Sequence, residues 1–326
     1  MLSTELTRTF GLEHPIVSAP MANWAGGELA GAVSAGGGLG MIGVGSSTPE
    51  DWITEQADLA RPHGPFGIGL LIWALEIRPE LLDATLDVQP SAISIHAGDP
   101  TPYIAEIKEA GAKVFCQVNN GASAQRAAEA GADFLVAQGT DAGGHTGSVG
   151  TMPLLQRVLE IGEATGLPVL GAGGLATGRA VAGVLTMGAV GAWVGTRFCA
   201  TEESMGSEGA KRRILEADET QTVHTHVFDI VQGFPWPEEF PGRALTNAFT
   251  ERWHGREEEL EAQLAALRGN FKEAQRRGDY SEAVVYAGQA AGLVRDLPSA
   301  KELVERLSTE AEAYLRERCA TLLGGD

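Results

Sequence analysis

Cysteine is scarce in this chain of 326 residues: Cys116, Cys199 and Cys319 make an odd set with no C-x-x-C spacing. That excludes a disulfide framework and a cysteine-held zinc site, and it fits a reducing compartment. Positive charge is short as well. Lys plus Arg total 24 against 43 Asp plus Glu, a formal net charge of −19. A chain so acidic repels phosphodiester backbones and anionic lipid, so neither nucleic acid nor a membrane surface is an expected partner. Long apolar runs are missing too. Residues 1–15 carry charges where a signal peptide needs an apolar stretch, and the uncharged residues 29–45 are too rich in Gly, Ser and Ala to span a bilayer. The expectation is a cytoplasmic protein that acts on small molecules.

Several chemistries lack their signatures. No lysine stands at the C-terminal end of an expected strand (Lys113 begins one), which argues against a Schiff-base aldolase. There is no G-x-S-x-G elbow and no carboxylate cluster for a catalytic metal, so no metal is expected. Cys116 and Cys199 sit within or just after apolar strands and read as core residues.

What the chain has in excess is glycine. There are 43, of which 32 fall in the first 200 residues. In that part, short apolar runs alternate with amphipathic stretches. Strands are expected at residues 16–19, 39–43, 66–71, 92–96, 114–118, 134–138, 169–172 and 192–196, and helices at 49–60, 102–110, 122–130 and 154–165. Alternating strands and helices imply a parallel sheet, and eight such units imply closure into a (β/α)8 TIM-type barrel. A doubly wound open sheet is the alternative, but that fold's arrangement of an early G-x-G-x-x-G turn with an acid on the second strand is not found here. Past residue 205 the texture changes to a charged linker (204–220), a Pro- and aromatic-rich loop (234–241) and helical patterns from Glu257. Ser299 and Glu302 form a capping box for the last helix, whose apolar stripe is Leu303, Leu307, Ala311 and Tyr314 or Leu315. The expected division is a barrel over 1–220 and a smaller helical substrate-binding or lid region over 221–326 that packs on the barrel mouth.

Barrel enzymes build their sites at the C-terminal ends of the strands, often with a phosphate on the loops after strands seven and eight. Here strand seven ends in Gly171-Ala172-Gly173-Gly174 and strand eight in Gly195-Thr196, while residues 177–179 open a helix. Glycines let backbone N–H groups approach an anion, and a helix N-terminus favours it. After strand six comes Gln138-Gly139-Thr140-Asp141-Ala142-Gly143-Gly144-His145-Thr146-Gly147. A histidine on a flexible glycine-rich loop at the catalytic face is a candidate general acid or base, or else a loop histidine bonded to a carbonyl. His96 ends strand four and points into the same mouth, as pocket residue or as a satisfied core histidine. A phosphate grip with neither nucleophile nor metal points to a bound cofactor that carries the chemistry.

The segments Ala19-Pro20-Met21, Gln138 through Gly147, residues 171–175, Gly195-Thr196-Arg197-Phe198 and Tyr286-Ala287-Gly288-Gln289-Ala290 resemble the nitronate monooxygenase family, formerly 2-nitropropane dioxygenases. The resemblance runs from Thr9 to about Leu307. It implies an FMN-bound barrel with a smaller helical domain that oxidises nitronates with O2 to carbonyl compounds and nitrite. By the same resemblance His145 is the catalytic residue and His96 lines the substrate pocket. Ala19, Pro20, Met21, Gln138 and Gly143 contact the flavin, and Gly173, Gly174, Gly195 and Thr196 hold its phosphate. One position departs: where the family often carries Asn after strand three, this chain has Gly69, which loses a side-chain hydrogen bond. The same scaffold also serves NAD(P)H:quinone reductases and FMN-dependent enoyl-ACP reductases. A phosphate-binding isomerase or lyase is the non-redox alternative, and a homo-oligomer is compatible with all of these.

Overall fold

The computed structural model describes residues 2–324. Eight parallel strands lie side by side: Ile16–Ser18, Gly40–Gly43, Phe66–Leu71, Ala92–His96, Lys113–Val118, Phe134–Gln138, Val169–Ala172 and Gly191–Val194. The eighth pairs with the first, and a bridge between Val17 and Leu39 sets the first beside the second, so the sheet comes round into a barrel. Strands such as Ala92–His96 and Phe134–Gln138 are buried along their whole length. That is why they read as unbroken apolar runs rather than alternations. The helices Glu50–Ala60, Thr101–Glu109, Gly121–Glu129 and Thr151–Thr165 lie within three residues of their expected bounds.

The barrel is sealed at its N-terminal end. Helix Glu5–Phe10, held by a capping box between Thr4 and Thr7, sets Phe10 against Phe115 and Phe134, with ring centroids 5.8 and 5.9 Å away. Phe115 stacks on Phe134 at 4.6 Å and meets Trp193 at 5.5 Å. This aromatic plug fills the lower interior and leaves the C-terminal mouth as the open end.

Between the eighth strand and the last helix the chain inserts a second unit. It contains a three-stranded antiparallel sheet of Thr222–Thr225, Gly242–Leu245 and Gly144–His145. Its own core is built from Val227, Phe228, Val231, Phe249, Trp253 and Phe271. A region expected to be helical therefore holds a sheet, one strand of which is lent by the loop after the sixth barrel strand. The expected linker 204–220 contains helix Glu208–Glu216, which buries Ala210 and Ile214.

The last helix, Ala300–Leu323, differs from its expected place over the mouth. Leu303, Val304, Leu307 and Ala311 are buried in the same apolar cluster as the barrel wall, against helices Gly178–Thr186 and Gly27–Ala35. It completes the outer ring. Its start uses one arm of the expected capping box: the Glu302 N–H donates to Ser299 Oγ at 3.2 Å, while Glu203 Oε2 accepts from the Ala300 N–H at 2.8 Å. Among the described residues no helix is long and apolar enough to cross a membrane.

Candidate active site

All the residues singled out in the sequence line one cavity of about 520 Å³ at the barrel mouth: Ala19, Pro20, Met21, His96, Gln138, Gly143, His145, Gly173, Gly174, Gly195 and Thr196. The insertion supplies the opposite wall through Gln232, Phe234, Trp236, Gln275, Val284 and Tyr286. None of the lining residues is Lys, Arg, Asp or Glu.

On one side the main chain does the work. Gly173 and Gly174 have φ of +104° and +73°, a left-handed backbone that favours glycine. The N–H groups of Gly174 and Gly195 take no backbone partner among the described residues, while the pairing of Ala172 with Trp193 turns the Gly173 N–H toward the Trp193 carbonyl. Thr196 opens the short helix Thr196–Cys199, and its Oγ1 accepts from the Gly288 N–H at 2.9 Å, leaving its own O–H free to donate. Helix Gly178–Thr186 starts at Thr177, whose side chain accepts from the Ala180 N–H.

The other side is a polar network on strands four to six. His96 Nε2 lies 3.0 Å from Asn119 Oδ1, and the Asn119 amide donates to both the backbone oxygen and Oε1 of Gln138. Gln117 Nε2 also donates to Gln138 Oε1, at 3.0 Å. With Gln138 Oε1 so engaged, its Nε2 and the Gln117 Oε1 are a donor and an acceptor on the cavity wall without a hydrogen-bond partner among the described residues. The Trp193 Nε1–H is likewise buried and has no partner among the described residues. A heteroaromatic ring edged by carbonyl and N–H groups, with a phosphate at its far end, fits this division of donors and acceptors. Burial pushes the His96 imidazole down to about 4, only partly opposed by the hydrogen bond to Asn119. It is neutral at physiological pH.

The departure at Gly69 has a steric account. A Cβ there would lie 2.3 Å from Cβ and Cγ of Pro20, so Pro20 occupies the space that a larger residue would need.

His145 is not on a flexible loop. The Thr140 N–H donates to Val149 O, Asp141 Oδ2 accepts from the Thr151 N–H, and Arg243 Nε donates to Thr140 O. Gly144–His145 is itself a strand against Gly242–Leu245. The His145 ring stacks on Trp236 with centroids 3.5 Å apart and planes 5° from parallel. Its Nε2 is 2.8 Å from Asp229 Oδ1, and both side chains are buried. Tyr286 donates to the same Oδ1 at 3.3 Å, and His226 Nδ1 stands 3.6 Å from Oδ2. Burial pushes the Asp229 carboxyl up, but the hydrogen bond from His145 and the neighbouring His226 outweigh it and hold the group below its usual range. Asp229 thus stays ionised and accepts, so the proton between it and His145 sits on Nε2.

Asp229, Trp236 and Asn119 carry no local sequence signal. Asp229 is 84 residues from His145 and is one acid among 43 acidic residues. His224 and His226 have the His-x-His spacing of metal ligands, yet they are spent separately: His224 Nε2 on Thr146 Oγ1, His226 Nε2 on Glu238 O. Among the described residues no group of three or more His, Cys, Asp or Glu is placed to hold a metal.

A family model described as nitronate monooxygenase matches residues 3–81 and 74–310. The chain is 32% identical to a (3aS,4S,5R,7aS)-5-hydroxy-7a-methyl-1-oxo-octahydro-1H-indene-4-carboxyl-CoA dehydrogenase of Mycobacterium tuberculosis, over 98% of this chain and 99% of that one. It is also 32% identical to a nitronate monooxygenase of Neurospora crassa, over 93% and 90%. Among solved structures, FabK from Thermotoga maritima superposes with a TM-score of 0.83 at 31% identity, covering 99% of both chains.

Proposed function

The chain belongs to the nitronate monooxygenase family, whose members are flavin-dependent oxidoreductases, and from that premise we propose that it binds FMN and oxidises alkyl nitronates or nitroalkanes with O2, releasing carbonyl compounds and nitrite. The observation that carries this reading is the convergence of His145 with two sets of unpartnered polar groups on one cavity. The N–H groups of Gly174 and Gly195 and the Thr196 hydroxyl would hold the phosphate, with Gly173 leaving room for it beside them. Gln117 and Gln138 would meet the polar edge of the ring, with Ala19, Pro20, Met21 and Gly143 around it and His96 at the substrate pocket. FMN, when bound, would supply the electron acceptor and the reaction with O2. The chain's part is to hold the nitro compound against it and to manage one proton at His145. A single phosphate cradle, with no second dinucleotide motif, favours FMN over FAD.

The test is an anaerobic flavin-bleaching assay with propionate 3-nitronate and nitroethane, run beside NADH and NADPH. Bleaching by a nitro compound, with FMN released on denaturation, is the expected result. Bleaching only by NAD(P)H, or release of FAD, would overturn the assignment. In His145→Asn the rate with nitroethane should fall by about 10²–10⁴-fold, the usual worth of a positioned base.

A further inference from the structure

We propose that Asp229 is a positioning residue that acts through His145: it fixes the imidazole with its proton on Nε2, so that Nδ1 is the base and the site takes its proton from an uncharged C–H acid. The observation is geometric. Asp229 comes from helix Val227–Gln232 of the insertion, not from the barrel. It reaches across to His145 Nε2 at 2.8 Å with both side chains buried. A carboxylate only accepts, so Nε2 must donate, and Nδ1 keeps the lone pair. Nδ1 has no partner among the described residues, and the ring lines the cavity. Trp236, stacked flat on the imidazole, blocks rotation of the ring out of this plane.

The charges around the pair favour the same reading. Tyr286 and His226 are the other polar groups against the Asp229 carboxylate. Arg243, on the strand beside His145, is turned to Thr140 and Thr222, and His224 is bonded to Thr146. Glu238 meets His226 through its backbone oxygen, and His96, which shares the cavity with His145, is neutral. With no Lys or Arg on the cavity wall, an ionised substrate would meet no side-chain cation in the cavity; His226, the cationic partner of Asp229, lies against the carboxylate and outside the lining. An uncharged substrate needs none. In the step itself the substrate C–H bond breaks and its electron pair stays on the substrate as the conjugated anion. The proton goes to Nδ1, and the imidazolium so formed is stabilised by the carboxylate on its Nε2–H.

This inference rests on the reading of His145 as the base, and two measurements keep their failures apart. The first needs no turnover: ¹⁵N-histidine labelling of wild-type protein reports the tautomer of each ring. The expected result is an Nε2–H tautomer for His145, assigned by its loss in His145→Asn. An Nδ1–H tautomer would overturn the proposal whatever the substrate proves to be. The second compares nitroethane with its pre-ionised nitronate in Asp229→Asn, which keeps shape and removes charge, and in Asp229→Leu, which also removes the acceptor. For nitroethane kcat should fall by about 10²-fold or more with little change in KM. The nitronate, whose proton is already gone, should lose far less, and flavin content should match wild type. Equal losses on both substrates, or a loss confined to KM, would reduce Asp229 to a structural role. Wild-type protein inactive on both would end the nitro-compound reading and leave the tautomer to decide the proposal.

Discussion

The two walls of the cavity are built on opposite plans. On the barrel side recognition is mostly main chain: glycine N–H groups on the loops after strands seven and eight, and a short amide network from strands that pair in register. On the insertion side it is side chains, brought from distant positions and held by one another: Asp229 on His145, Trp236 on His145, Tyr286 on Asp229. The lesson is a division of labour. A barrel mouth whose glycines offer backbone can hold a cofactor common to many reactions, while on the function proposed above the inserted unit would decide which proton moves and which substrate enters. The two plans meet where backbone touches backbone, at Gly143 and Gly288. A Cβ on Gly143 would lie 2.5 Å from Gly288 N, and one on Gly288 would lie 2.5 Å from Asp141 O.

The largest effect that would sharpen this contrast is the pH dependence of the barrel side. His96 is held down at about 4 by burial, against an ordinary value near 6.5 in the unfolded chain. Between those values the unfolded chain binds more protons than the folded one, so stability falls as pH drops from about 6.5 to about 4 and levels off below. The gap corresponds to roughly 3 kcal/mol. Denaturant titrations across that range should show the slope, and His96→Gln should flatten it. An unchanged slope in that variant would shift the acid sensitivity to other groups.

Next comes the junction. Gly288→Ala forces a methyl against the backbone of Asp141 and Gly143, and overpacking against fixed backbone costs about 1–3 kcal/mol. The Gly288 N–H to Thr196 bond and the Gln289 N–H to Asp141 O bond should loosen with it. A lower Tm together with lower flavin content is expected. Gly183→Ala is the control: a Cβ there meets nothing within 4 Å, and on a helix it should stabilise by about 0.5–1 kcal/mol. If both variants behave alike, the junction carries no special constraint.

The barrel was legible because its signals are local. Each strand is a mostly apolar run of four to six residues, Ile16–Ser18 excepted, and the strand starts recur every 21 to 26 residues except across the 35 from Phe134 to Val169. The glycines after strands seven and eight stand where the fold itself puts a ligand. The insertion was not legible, because its strands have no partner nearby in sequence. Gly144–His145 pairs with Gly242–Leu245 almost a hundred residues on, and nothing in the run of glycines around His145 says that it is pinned. The Pro-rich loop 234–241 reads as a turn, yet Trp236 and Phe240 in it reach His145 and His96. The position of helix Ala300–Leu323 fails for a related reason. Its apolar stripe is correctly read, but a stripe names a buried face without naming what buries it.

The smallest effect concerns Trp236. Its ring lies flat on His145 and edges Trp73 at 5.3 Å, so the loop 233–241 is fastened to the barrel mouth chiefly by aromatic contact. Such pairs are worth about 0.5–1.5 kcal/mol each beyond the area they bury. Trp236→Ala should therefore release the loop locally while leaving global stability to the barrel core. Tm should change less than in Gly288→Ala, and flavin content should not change, because the cradle lies on the opposite wall. Amide exchange and proteolysis within residues 233–241 should accelerate, since local opening scales with the contacts removed. Bulkier nitro compounds should then compete better with nitroethane than they do in wild type. Loss of flavin in Trp236→Ala would mean that the insertion helps to hold the cofactor, and the contrast between the two walls would have to be redrawn.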